Sequence, residues 1–338
     1  MSELSYLEKL LDGVEVEWSN LGNLCDIFTG GEAPQKHIKG DTPTSDYQYP
    51  IYGNGAEIYG YADSYRIGQD AVTISSIGAN TGTIYFRKAF FTPIIRLKVV
   101  IPKHSWLLPR YLFHYLSSQT INSKSSSVPN MNASDVKKLS IPIPCPNNPE
   151  KSLAIQSEIV RILDKFTALT AELTAELNMR KKQYNYYRDQ LLSFDNEDVP
   201  HLPMGQKDIG EFIRGGTFQK KDFMDAGVGC IHYGQIYTYY GTYTKKTKTH
   251  ISAALAKKCK KAQKGNLIIA TTSENDEDVC KAVAWLGSDD IAVSSDACIY
   301  KHNLNPKYVS YYFQTEQFQN QKRQYITGAK VRRVNADN

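Results

Sequence analysis

Two sets of polar side chains, one in each half of the chain, have the chemistry to pair with planar hydrogen-bonding edges. In the first half, Gln35, Asn54, Asn80 and Asn130 carry carboxamides, and Asn132 adds another. A carboxamide sets a donor beside an acceptor, which suits the edge of adenine. Lys36 and Lys124 bring ammonium groups fit for phosphate or guanine, with His37 and Tyr52 close to them in sequence. In the second half the corresponding set is Gln219, Lys220, Tyr233, Gln235, Lys330, Arg332 and Arg333. These residues sit in stretches such as "GGEAPQKH", "YGNG", "GANTG" and "SKSSSVPNMN", where Gly30, Gly31 and, in the second half, Gly216 mark loops. Any one of them taken alone is equally an ordinary solvated loop residue.

Catalytic constellations are missing from the pattern. "GANTG" (Gly78–Gly82) lacks the lysine and hydroxyl of a phosphate-binding P-loop, and there is no Gly-x-Gly-x-x-Gly or Gly-x-Ser-x-Gly. The Asn/Asp-Pro-Pro-aromatic motif of amino-methyltransferases is absent as well. The acidic run "ENDEDV" (Glu274–Val279) reads as a solvated loop, because nothing turns its carboxylates inward. The six cysteines form no CxxC pair and no zinc-finger spacing with His, so they read as reduced thiols and no metal site is expected. The basic runs "KKTK" and "KKCKK" fit phosphate contacts and solvated faces equally well.

The elements that must position these loops occur twice. "DIFTGGEAPQKHI" (Asp26–Ile38) matches "EFIRGGTFQKKDF" (Glu211–Phe223), and "PIYGN" (Pro50–Asn54) matches "IHYGQ" (Ile231–Gln235). "DAVTISS" answers "NLIIATT", "LPRYLFHYL" answers "NPKYVSYYF", and "MNAS" answers "VNAD", all in the same order. The β-branched runs predict buried strands. Pro109 and Pro306 each open a short helix with apolar residues at i, i+3 and i+4. The second copy stops at "VNADN", where the first continues into "VKKLSIPIP", so a second rod is expected to be missing here.

Between the copies lies a rod. After the proline-rich "LSIPIPCPNNP", residues Ile155, Ile159, Ile162, Phe166, Leu169, Leu173, Leu177, Tyr184, Tyr187 and Leu191 recur at steps of three, four or seven. From Pro149 to Phe194 that is a helix of roughly 69 Å whose apolar stripe needs a partner. Its centre reads "LTAELTAEL" (Leu169–Leu177), the tetrad Thr-Ala-Glu-Leu twice over. The expected organisation is α+β, with two repeated α/β domains joined by a long α-helix of coiled-coil character. The boundaries are 1–148, with a short N-terminal helix, then 149–194 and 195–338.

A net charge of +5 over 338 residues is compatible with a polyanionic partner without requiring one. The opening "MSELSYLEKLLDG" does not resemble a signal peptide, and no apolar run approaches membrane-spanning length. A cytoplasmic protein with no membrane association is expected.

Two α/β copies flanking a long helix resemble the specificity subunit of type I restriction–modification systems. The stretch "IPIPCPNNPEKSLAIQSEIVRILDKFTALTAELTAELNMRKKQYNYYRDQLLSF" is similar to the central region of that family's type IC group. The resemblance implies a non-catalytic subunit in which each copy is a target recognition domain reading half of a bipartite double-stranded DNA sequence. It implies that the helix sets the gap and docks two methyltransferase subunits per complex, with motor-nuclease subunits joining them. S-adenosylmethionine, ATP and magnesium would then belong to those partners, none of them to this chain. The tetrad repeat reads as a ruler, since one copy changes the helix by about 6 Å and turns it by roughly 40°, worth one or two base pairs. One rival is a truncated chain that self-associates through its helix; another is a two-domain coiled-coil scaffold that binds proteins.

Overall fold

The central strands of each unit are built from largely β-branched runs whose two faces are both covered. In "LIIA" (Leu267–Ala270), Ile268 and Ala270 enter one core while Leu267 and Ile269 enter another, so the run is apolar throughout instead of alternating. "AVTI" (Ala71–Ile74) is likewise buried along its whole length. The computed structural model describes residues 10–11, 13–120, 130–194 and 200–335. Most of the expected N-terminal helix, Lys124 with the residues around it, and the last three residues lie outside them. The chain divides into two compact units, Met1–Thr174 and Ala175–Asn338, the division falling inside the second Thr-Ala-Glu-Leu tetrad.

The repeat read in the sequence is a repeat of topology. In the first unit an antiparallel sheet has the spatial order Cys25–Thr29, Lys98–Pro102, Ala71–Ile74, Ile84–Arg87. In the second unit the order is Gly210–Arg214, Ala297–His302, Leu267–Ala270, Ala282–Trp285, extended by Tyr243–Thr244. Each unit carries a further four-stranded sheet containing one parallel pair: Tyr49–Tyr52 with Thr92–Pro93, and Val228–Ile231 with Ile291–Val293. The helices Pro109–Ser117 and Pro306–Tyr312 both begin on proline, whose missing N–H costs nothing in a first turn.

The prolines of "SIPIP" (Ser140–Pro144) occupy an edge ribbon paired antiparallel with Val16–Asn20, a position that tolerates residues without an N–H. The long helix then runs from Pro149 to Leu191, 43 residues and about 64 Å, ending three residues short of the expected Phe194. Asn148 caps its start by accepting the Lys151 N–H at 3.0 Å.

Each unit grips its own part of this helix. In the first, the buried Gln156 accepts the Leu108 N–H at 3.0 Å and donates to the Trp106 carbonyl at 3.0 Å. One turn beyond Val160, the Asp164 carboxylate meets Arg110 Nε at 2.8 Å and His114 Nε2 at 2.7 Å. Burial opposes ionisation of Asp164, but the hydrogen bonds from His114 and Arg110 outweigh it and hold the carboxyl below its usual range. In the second unit Asp189 pairs with Arg188 at 2.9 Å and accepts the Glu316 N–H.

Candidate nucleic-acid interface

The loops that the sequence nominates in the first unit meet at one end of its sheets, and the residue at their centre is a turn the sequence did not nominate. Leu97 N–H donates to the Ile94 carbonyl at 3.1 Å, closing a turn whose central residues, Ile95 and Arg96, have φ of +52° and +58°. Gly31 accepts the Ile95 N–H at 2.8 Å and Gly30 accepts the Arg96 N–H at 2.9 Å, while Gly30 N–H donates to Leu97 at 2.8 Å. The Asn54 amide donates to the Ile95 carbonyl and accepts the Ser76 N–H at 2.7 Å. Ser76 Oγ donates to the Arg96 carbonyl at 2.6 Å, and Lys98 Nζ reaches the same oxygen at 3.1 Å. Lys98 is buried; that burial, followed by the charge of Arg96, lowers its pKa.

This arrangement changes the roles expected of several residues. Gly30 is buried, and a Cβ on it would lie 2.8 Å from the Ile94 backbone, so it is a close-approach glycine. Asn54 spends both halves of its amide on the backbone of other loops, which contradicts the expectation of an amide free for adenine. Tyr52 is half-buried beneath Arg87, whose guanidinium lies 3.8 Å from the ring centroid and donates to the Gly55 carbonyl at 2.9 Å. Burial lowers the Arg87 pKa, outweighing Tyr52 and Tyr85, which raise it. Gln35, Lys36, Asn80, Asn130 and Asn132 are exposed as expected. Asn130 bridges to Ile77, Asn132 caps the helix Ala133–Lys137, and His37 Nδ1 contacts the Pro34 carbonyl at 2.6 Å. Lys124 lies outside the described residues.

The second unit repeats part of the construction with other side chains. Gly215 N–H donates to Ala297 at 3.0 Å, the counterpart of Gly30 to Leu97, and Gly216 N–H donates to Val293 at 2.8 Å. The turn so held is Ser294–Ala297, closed by a 3.1 Å bond; its central residues, Ser295 and Asp296, are half-buried and, unlike Ile95 and Arg96, have no positive φ. A Cβ on Gly216 would lie 2.6 Å from Cys259 Cα. Tyr233 donates its N–H to Ser294 Oγ at 2.9 Å.

Gln235 also differs from the expectation. It is buried at the start of the short helix Tyr233–Thr238, accepts the His232 N–H at 3.1 Å and donates to Thr249 Oγ1 at 2.9 Å. A side chain so engaged holds its loop and is not free to meet a base. Gln219, Lys220, Lys330 and Arg333 are exposed. Arg332 is held by Asp276 at 2.8 Å and by the Gly328 carbonyl at 2.6 Å, so the acidic run includes a partner for a basic strand. Among the described residues no His, Cys, Asp and Glu cluster could hold a metal ion, and no helix is long and apolar enough to cross a membrane.

On the long helix the apolar stripe divides. Ile155 is buried, Ile159 packs on the first unit's core and Ile162 is half-buried. Phe166, Leu169, Leu173, Leu177, Tyr184 and Leu191 are exposed, from 47% at Leu169 to 75% at Leu191.

Residues 13–180 match the family model for the type I restriction modification DNA specificity domain. The chain is 45% identical over 227 residues to the EcoR124I/EcoR124II specificity subunit of Escherichia coli, covering 65% of this chain and 54% of that one. It is 30% identical over 138 residues to the C-terminal piece of a protein named as a candidate type I specificity subunit in Mycoplasma pneumoniae, covering 40% of this chain and 89% of that piece. The chain spans about half the length of the E. coli relative. A crystal structure of the type I restriction–modification S subunit of M. genitalium superposes with a TM-score of 0.53 at 14% identity, over 93% of this chain and 80% of that one, which shows a shared fold. The chain belongs to the family of type I restriction–modification specificity subunits.

Proposed function

We propose that this chain is the non-catalytic DNA-recognition subunit of a type I restriction–modification complex, in which each unit reads one half of a bipartite duplex sequence. The observation that carries this reading is the same strand order built twice, with a turn anchored by a Gly-Gly pair at the same place in each copy, Ile95 and Arg96 central in one and Ser295 and Asp296 in the other. A bipartite reader needs two equivalent frameworks with unlike contacts. The exposed stripe from Phe166 to Leu191 is the surface on which helices of methyltransferase subunits, or of a second copy of this chain, would bury apolar area. Two methyltransferase subunits would supply S-adenosylmethionine chemistry. Motor-nuclease subunits would supply the chemistry of ATP and magnesium, and the assembly would work in the cytoplasm.

The test is to express the chain with its methyltransferase subunit and map adenine methylation across the host genome. A two-part motif with a fixed gap is expected. Deleting Thr174–Leu177 shortens the helix by about 6 Å, so the gap should contract by one or two base pairs of about 3.4 Å while both half-sequences persist. An unchanged gap in the deletion sinks the ruler, and absence of any motif from the intact chain sinks the recognition reading.

A further inference from the structure

We propose that the first unit reads its half-site through the turn Ile94–Leu97, with Ile95 and Arg96 as the side chains that touch the bases. Gly30, Gly31 and Asn54 hold that turn and do not read. The inference rests on the DNA-recognition reading above and deepens it.

The turn has two consecutive residues in the left-handed region, as a type I′ turn demands. Asn-Gly is the pair that normally fills those places, because branched side chains crowd their own carbonyls there. Here the places are filled by a β-branched isoleucine and an arginine. The conformation is over-determined from below: both N–H groups and both carbonyls of Ile95 and Arg96 are taken by Gly31, Gly30, Asn54, Ser76 and Lys98. What remains outside is the pair of side chains. Ile95 is 53% exposed, and the Arg96 guanidinium has no hydrogen-bond or ion-pair partner among the described residues. Arg66, Arg87, Arg110 and Arg332 are all tied to carbonyls or carboxylates.

A strained backbone carrying a loose apolar group and an unpaired cation serves no packing need, since Asn-Gly would close the same turn with less strain. Such strain is kept where the side chains have a task. Their chemistry fits the major groove: arginine pairs bidentately with guanine O6 and N7, and an aliphatic group packs on the thymine methyl. The equivalent turn of the second unit carries Ser295 and Asp296, and a carboxylate accepts from the cytosine amino group. Turns at corresponding places, differing in residues and in backbone conformation, give two half-sites of unlike sequence.

The test is the double variant Ile95→Asn/Arg96→Gly in the full chain, co-expressed with the methyltransferase subunit and assayed by methylation mapping and thermal unfolding. The variant installs the pair that the turn prefers, so the unfolding midpoint is expected to stay level or rise. Preference for the cognate base at one or two positions of one half-site should fall by about 5- to 150-fold, the equivalent of ~1–3 kcal/mol. The other half-site and the gap should remain. An unchanged motif, a lower midpoint, or a loss of methylation that spares neither half-site overturns the inference while leaving recognition by the intact chain standing. Absence of a bipartite motif from the unaltered chain overturns both.

Discussion

Gly30 and Gly31 are adjacent and identical in type, yet substitution to alanine should separate them sharply. A Cβ on Gly30 would sit 2.8 Å from both the nitrogen and the oxygen of Ile94 and 2.9 Å from the Pro93 carbonyl carbon. Carbon contacts are comfortable from about 3.5 Å, so backbone atoms would have to retreat by more than half an ångström. They belong to the turn that Gly30 itself holds through its N–H and carbonyl, and they cannot retreat without loosening it. Overpacking of this kind costs about 1–3 kcal/mol, and immovable backbone puts Gly30→Ala at the upper end. For a unit of this size that is a fall of roughly 4–12 °C in its unfolding midpoint. A Cβ on Gly31 meets only Arg66 Nη1 at 3.4 Å, the tip of an exposed side chain that can swing aside. Gly31→Ala should therefore stay within about 0.5 kcal/mol of the parent. The second unit breaks the pattern: alanine at Gly215 runs into the Ser294 carbonyl oxygen and at Gly216 meets Cys259 Cα at 2.6 Å, so both should be severe. Differential scanning calorimetry of the four variants checks this, each read on the transition of its own unit because two units need not unfold as one. Equal damage at Gly30 and Gly31, or a tolerated Gly216→Ala, would refute the reasoning.

Asp164→Asn should weaken the seat of the long helix on the first unit by at most about 1 kcal/mol near neutral pH, its side chain being 40% exposed and screened. Because folding lowers the Asp164 pKa, its contribution is present above the unfolded carboxyl value of about 3.9 and is lost as pH falls through the folded value, so parent and variant should converge in urea titrations below about pH 4. Gln156→Ala strips the partners from the part-buried Leu108 N–H and Trp106 carbonyl and should cost about 1–3 kcal/mol, read as faster hydrogen exchange at Leu108. Lys322→Met removes a buried ammonium that donates to the Glu277 and Val279 carbonyls at 2.8 and 2.6 Å. It should destabilise the second unit by about 1–3 kcal/mol and leave the first unit's transition in place.

The framework was legible where local patterns and global packing agree. Prolines at 109 and 306 opened helices, β-branched runs became buried strands, and the Gly-Gly pairs marked loops at corresponding places in both units, with Gly30 and Gly215 alike in lying close against backbone. The long helix was legible for the same reason, though its end fell at Leu191. Side-chain direction was not legible. Asn54 and Gln235 sit at matching places in the repeat and are fit for bases by type, but both are spent on backbone and neighbouring hydroxyl groups. Those partners lie 14 to 41 residues away along the chain, apart from the local His232 N–H, and only folding brings them close. Arg87 was passed over because an arginine in a strand reads as a surface residue, whereas stacking on Tyr52 and two carbonyl acceptors let it be buried.

The turn at Ile95 and Arg96 escaped the sequence for a deeper reason. Turn prediction works by asking which residues want a left-handed backbone, and neither isoleucine nor arginine does. A turn imposed against local preference is invisible to local preference. It exists because four groups brought from three other segments, with Lys98 two residues on, fix its N–H groups and carbonyls. That division of labour bears on how two half-sites can differ within one architecture. If glycines and amides hold the backbone and take no part in reading, the tip residues can be exchanged without altering any bond that holds the tip in place. Ile95 and Arg96 against Ser295 and Asp296 goes further than such an exchange: the strand order is kept, but the second turn lacks both the positive φ values and the N–H bonds to the Gly-Gly carbonyls. The same logic sets its limit: substitutions at Gly30, Asn54 or Gln235 should disturb a half-site only by disturbing fold stability, whereas substitutions at the tips should alter it without that cost.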